Sequence, residues 1–226
     1  MPFELLLGYY KECFSLIDCI HFNSDVTRQE YEKSLSISKN IGKVVAITHG
    51  GITDNRKIKS FSHDKLQIGF IGNYTPYKGL PLLKEVLSQI TDGWNLNIWG
   101  CNRGKDTSEV ITYCGKFSKN DLPMVYDSMD LLIVPSIWKE TFSLVTLEAL
   151  SFGVPVLLSD NVGAQNIVRE YAPDFIFHSK SELTTILRKL INDRQPLKNY
   201  NEKICSLPWD YGMKEHAQKI IDDIYR

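Results

Sequence analysis

From Leu66 onward the chain alternates short apolar, β-branched runs with helix-length amphipathic segments, and the alternation recurs about six times. The runs predict strands at 67–71, 95–99, 110–113, 131–134, 155–158 and 174–177. Their apolar character is nearly continuous, which suits strands covered on both faces, as in a parallel sheet. Helix starts follow from Pro81 just after Gly79, from Ser118 three residues before Asp121, and from Ser181 ahead of Glu182 and the run 183–191. Together these elements predict an α/β fold, a doubly wound, Rossmann-like parallel sheet. The first forty-odd residues read differently, with a strand at 17–22, a helix at 25–38 and a strand at 44–47. So few elements cannot bury a core alone, so this stretch reads as the end of another domain. The polar, Gly-containing stretch that opens with His49 reads as a linker, giving a division into 1–48, 49–64, 65–208 and 209–226.

Composition changes the picture by exclusion. A formal net charge of −1 gives no field to recruit nucleic acid. The longest apolar runs are far too short to span a bilayer, and the N-terminal residues do not read as a secretory signal. The expected setting is cytoplasmic. Cys13, Cys19, Cys101, Cys114 and Cys205 are odd in number and never spaced Cys-x-x-Cys, which argues against a disulfide framework and against a zinc site. The five histidines are too dispersed for a metal site; for His49 a place facing an interdomain cleft is one reading, and an ordinary linker residue is the preferred one.

Ligands of open parallel sheets sit beyond the carboxyl ends of the strands, so the turns after strands hold the candidate chemistry. The first such turn, 69–79, lacks the Gly-x-Gly-x-x-Gly spacing of a dinucleotide site. It offers instead Lys78 beside Gly79, immediately before a helix. Alone, that lysine reads better as a solvated turn residue, since surface lysines are common. The stretch 135–155 carries more. It places Glu140 in a loop, a helix start near Ser143, and Glu148 in the second turn of a helix that is apolar almost all round and whose only charge is Glu148. A buried carboxylate needs partners, either an internal cation or amide, or the hydroxyl groups of a ligand.

Taken together, Gly72 to Lys78-Gly79, Gly115-Lys-Phe117 followed by Asp121-Leu-Pro and Tyr126, the run 130–136, and Glu140-Thr-Phe-Ser-Leu-Val-Thr-Leu-Glu148 with Gly153-Val-Pro-Val and Gly163 resemble the retaining GT-B glycosyltransferases of glycosyltransferase family 4. The resemblance runs from about Asp18 to the C-terminus and is weakest after Asp174. It implies the C-terminal, nucleotide-sugar-binding domain of such an enzyme. Residues 1–48 would be a remnant of the N-terminal acceptor-binding domain, and 209–226 a last helix crossing back towards it. It further implies that Lys78 contacts the donor diphosphate, Glu140 the transferred hexosyl unit and Glu148 the ribose, with Phe117 beside the base. Backbone amides near Phe142, Ser143 and Leu144 would meet sugar and diphosphate. Gly72, Asn73 and Thr141 complete the donor-binding set, Lys78 and Glu140 being the catalytic pair. Family members transfer with retention to acceptors such as glycans or lipid-linked sugars, usually without a metal, and no cofactor is implied. Peripheral contact at the inner membrane face is the most that such a protein would make.

Two positions depart from the family pattern. Asn73 stands where an Arg usually gives a second cation on the diphosphate, and Ser143 stands where Gly is usual. These departures, with only part of the N-terminal domain present, keep open a non-catalytic nucleotide-sugar-binding or regulatory partner subunit. A sugar-nucleotide epimerase of similar fold is a third reading. The truncated N-terminal part and the last helix are expected to expose apolar surface, for self-association or an N-terminal-domain partner.

Overall fold

The computed structural model describes residues 2–35, 41–101 and 108–225. The N-terminal part comprises α1 (Phe3–Ser15), β1 (Ile20–Phe22), α2 (Asp25–Leu35) and β2 (Gly42–Val44). β1 and β2 form a two-stranded parallel sheet with Ile20 opposite Gly42 and Phe22 opposite Val44. β1 is shorter than the strand expected at 17–22, because Leu16 and Ile17 donate back to Cys13 and Phe14 and close α1. The strand expected at 44–47 begins and ends earlier, since β1 stops at Phe22 and offers later residues no ladder. Of the helix expected at 25–38, residues 25–35 are helical and 36–38 lie outside the described residues. α1 forms where the hydrophobic pattern locates no element. None of its residues is buried, and Phe3, Leu5, Tyr9 and Leu16 are well exposed.

The remainder is one α/β layer structure. Its strands are β3 (Leu66–Ile71), β4 (Trp94–Trp99), β5 (Ile111–Gly115), β6 (Leu131–Val134), β7 (Val156–Ser159) and β8 (Ile176–Phe177). They pair in the order β5-β4-β3-β6-β7-β8, every pair parallel. Counting from the first of these strands, that order is 3-2-1-4-5-6, the doubly wound arrangement. Every residue of β6 and β7 is buried, which is why their sequences read as apolar runs, broken only by Ser159 at the end of β7. Between the strands run α3 (Leu80–Leu87), α4 (Leu122–Asp127), α5 (Leu144–Ser151) and α6 (Gln165–Tyr171), and after β8 come α7 (Lys180–Asn192), α8 (Gln195–Ser206) and α9 (Met213–Ile224).

Local signals explain most of the helix starts. Ser118 and Asp121 form a reciprocal capping box before α4. α7 starts earlier than Ser181 suggests: the Ser179 hydroxyl accepts from Glu182 N, which leaves Ser181 inside the first turn. β8 is shorter than expected because Pro173–Phe175 close a 3-10 turn first.

Residues 49–64 carry no helix or strand, yet they are held down along their length. Ile52 and Phe61 are buried in the core, and Asn55 N donates to Ser151 O at the end of α5. The fully buried Asn201 of α8 donates to Lys57 O and Gly153 O and accepts from Lys59 N, joining this segment to the sheet and to α8. The C-terminal segment is bonded to the residues that follow β2: Thr48 Oγ1 donates to Tyr211 O, and the His216 ring bonds Ala46 O. Among the described residues no helix is long and apolar enough to cross a membrane.

Candidate functional site

The strand order reverses between β3 and β6, so the loops leaving these neighbours splay to opposite sides and open a crevice at their carboxyl ends. The loop after β3 carries Gly72, Asn73 and Lys78, and the loop after β6 carries Glu140, Thr141, Phe142 and Ser143. Lys78 and Glu140 meet across it, Nζ to Oε1 at 2.8 Å. Ile137 N also donates to Tyr77 O at 3.0 Å, tying the two loops through their backbones.

Glycine makes this approach possible. Gly79 sits at φ 77° with its Cα against the end of β6, where an added Cβ would lie 1.7 Å from Pro135 O. Lys78 is thereby delivered from a 3-10 turn, Pro76–Lys78, directly onto the loop of its partner.

Glu140 is held from several sides. Its N–H donates to Asn161 O, its carbonyl accepts from Gly163 N, and it forms a parallel bridge with Val162. Ser136 Oγ donates to the same carboxylate oxygen that Lys78 reaches. The Glu140 side chain is 12% exposed and that of Lys78 43%, so the carboxylate is largely buried while the ammonium keeps a face to solvent. Next to it, Thr141 O accepts from Ser24 Oγ at 2.6 Å and from Thr27 Oγ1 at 3.1 Å, bonds that pin this loop to α2. Gly163 permits this packing, since a Cβ there would meet Thr141 O at 2.2 Å. A cleft of about 110 Å³ between α2 and the loop is lined by Val26, Thr27, Glu30, Tyr31, Lys139, Glu140 and Thr141.

Glu148 projects from α5, whose N-cap is Ser143. Tyr126 Oη donates to its Oε2 at 2.9 Å, and His49 Nε2 lies 3.1 Å from its Oε1. Burial, and after it the neighbouring carboxylate, pushes the Tyr126 phenol well above its usual range, so it remains a donor. Tyr126 packs face to face with Phe152 at 5.1 Å, which fixes the ring. Glu148 therefore has internal partners, and each oxygen keeps lone-pair capacity for a further donor. Phe117, half-buried in the loop after β5, packs edge to face on Trp99 at 6.0 Å. His49 is the partner that the sequence does not single out. No spacing rule joins residues 99 apart, and the only local signal was a polar ring ahead of two glycines.

Ser143 is strained. At φ 96° and ψ 84° it occupies a region that L side chains rarely adopt. Its hydroxyl accepts from Thr146 Oγ1 at 3.0 Å, a partial compensation. Ser143→Gly is expected to relieve the strain for a net gain of about 1 kcal/mol, raising the melting temperature by roughly 2–4 °C. A thermal melt by circular dichroism checks it, and a lower melting temperature would refute the strain argument.

The rim of this crevice is aromatic. Tyr77 and Trp138, 59% and 63% exposed, pack edge to face at 5.5 Å, one on each loop.

These elements define a doubly wound α/β domain with a Lys–Glu ion pair at its switch point. The family model for group 1 glycosyl transferases matches residues 51–204, and the chain belongs to that family. It is 30% identical over 168 residues to an uncharacterized 41.2 kDa protein in the cps region of Klebsiella pneumoniae, covering 68% of this chain and 46% of that one. An uncharacterized glycosyltransferase of Haemophilus influenzae is 24% identical over 214 residues, 88% of this chain and 59% of its own. The chain thus spans about half the length of the curated relatives it matches. Among solved structures, Anabaena Alr3699/HepE in complex with UDP-glucose superposes with a TM-score of 0.77 at 15% identity, over 99% of this chain and 68% of that one. WaaG, a glycosyltransferase involved in lipopolysaccharide biosynthesis, gives 0.68 at 18% identity, over 89% and 62%. The six-stranded parallel sheet and its flanking helices are those of GT-B glycosyltransferases.

Proposed function

We propose that this chain is the donor-binding part of a retaining hexosyltransferase that moves a hexosyl unit from a nucleotide-diphosphate sugar to a glycan or lipid-linked acceptor. The observation that carries the reading is the Lys78–Glu140 pair across the β3–β6 crevice, with Glu148 on the helix that follows. The solvent-facing ammonium meets the diphosphate, Glu140 the sugar and Glu148 the ribose. Gly72, Asn73, Thr141, Phe142, Ser143 and Leu144 line the remainder, with Phe117 beside the base. Negative charge grows on the departing diphosphate as the glycosidic bond breaks, so fixed donors there stabilise the transition state more than the ground state. The reading assigns neither cofactor nor metal.

In the same proposal, residues 1–48 belong to an acceptor-binding domain, 49–64 link it to the donor domain at 65–208, and 209–226 cross back. The exposed apolar residues of α1 and α9, among them Phe3, Leu5, Met213 and Ile221, are then covered by the rest of that domain, by a partner that supplies it, or by a second copy. The five free cysteines suit a cytoplasmic setting, with at most peripheral contact at the inner membrane face. The test is a screen of UDP-, GDP- and ADP-hexoses by thermal shift. One donor at a hundred times its dissociation constant is expected to add about 2.7 kcal/mol of stability. No shift with any donor would overturn the reading.

A second reading is a nucleotide-sugar-binding or regulatory subunit without turnover. Strained Ser143 and Asn73, in place of glycine and a second cation, favour it. Nucleotide binding with no transfer by the chain joined to its acceptor-binding half would select it.

A further inference from the structure

We propose that His49 is a positioning residue for ribose recognition: it fixes the Glu148 carboxylate so that the free lone pairs of that group face the nucleotide. The inference rests on the donor-site reading above and adds to it a residue from outside the sheet.

The geometry defines the proton. Gly51 N donates to His49 Nδ1 at 3.0 Å, so in the neutral ring the hydrogen sits on Nε2. Nε2 lies 3.1 Å from Glu148 Oε1 and donates to it, while Tyr126 Oη donates to Oε2 at 2.9 Å. One donor on each oxygen leaves the carboxylate a single orientation, with capacity on both oxygens for the two hydroxyls of a ribose. The backbone that carries the ring is fixed as well. Ile52 N donates to His49 O, Ile52 is buried, and Asn55 N is bonded to Ser151 O, three residues beyond Glu148 on α5. The segment that carries His49 therefore runs along the helix that carries Glu148. A turn of polar backbone needs no imidazole to make these contacts, and the His49 side chain, partly exposed at 30%, does not fill a core position. Its role is the bond to Glu148. Ribose binding is thereby tied to the path of residues 49–55, which join the N-terminal strands to the sheet.

The experiment is calorimetry with UDP, GDP and ADP, then with the 2′,3′-dideoxy form of the one that binds most tightly, on the wild type, H49A and H49Q. Glutamine restores a donor at the place of Nε2 without the Nδ1 acceptor. H49A is expected to lose about tenfold in affinity for the ribonucleotide and less than about twofold for the dideoxy form, because only the former uses Glu148. H49Q is expected to recover most of the loss. Equal weakening towards both nucleotides in H49A, or unchanged affinity for the ribonucleotide, overturns the assignment. Wild-type protein that binds none of the three overturns the donor-site reading itself, which separates the two failures. Thermal melts of both variants show whether they fold. Should H49A not fold, H49Q decides: wild-type preference for the ribonucleotide supports the assignment, and a lost preference overturns it.

Discussion

Gly79→Ala is expected to lower the melting temperature by roughly 6–12 °C, the equivalent of at least about 3 kcal/mol in a chain of this size. Two effects add. The backbone at Gly79 has φ 77°, which alone costs a residue with a Cβ about 1–2 kcal/mol. The new methyl would also stand 1.7 Å from Pro135 O, and Pro135 directly follows a fully buried strand that cannot retreat. The loop after β3 must therefore move away from β6, stretching the Ile137–Tyr77 bond and parting Lys78 from Glu140. Gly72→Ala is the matching control. Its Cβ would meet nothing nearer than 3.5 Å and its φ is ordinary, so its melting temperature should stay within about 2 °C of wild type. If the two alanines behave alike, the close approach at Gly79 does not hold the crevice together.

That contact shows what the sequence reveals and what it hides. A glycine after a lysine and before a proline marks a helix start, but nothing in the linear text says that its missing side chain is the space Pro135 O fills, 56 residues on. The strands were legible because burial on both faces writes itself as unbroken apolar runs, as at 131–134 and 156–158. The N-terminal strands were harder, because a two-stranded sheet has no such runs and its register depends on where α1 stops. For the site, Glu148 was legible as the one charge of an otherwise apolar helix, whereas Glu140, beside Lys139 in a polar loop, stood out only through the family resemblance. The partners that hold Glu148 were not legible: Tyr126 comes from α4 and His49 from a segment with no regular structure. Contacts between loops follow from topology, and topology follows from the whole pattern of strands.

Lys78 and Glu140 are expected to respond in opposite directions when each is replaced by alanine. In the structure the two neutralise one another at 2.8 Å, but their surroundings differ, the carboxylate being largely buried and the ammonium nearly half exposed. Lys78→Ala leaves Glu140 with only the Ser136 hydroxyl on the oxygen the ammonium had reached. It is therefore the more destabilising change, by about 1–3 kcal/mol. It also removes the cation proposed to meet the diphosphate, so UDP affinity measured by calorimetry should fall by about 10- to 100-fold. Glu140→Ala frees the ammonium from a competing carboxylate. Because UDP carries no sugar for Glu140 to bind, affinity for it should hold or rise, by up to about tenfold. Transfer from the sugar nucleotide, assayed in the polypeptide that includes the acceptor-binding half, should nonetheless drop by about 10²–10³-fold, the usual cost of removing one group that acts on the transition state. A lysine variant that keeps UDP affinity would place the diphosphate elsewhere. A Glu140 variant that keeps transfer would leave the ion pair a structural bond between the β3 and β6 loops.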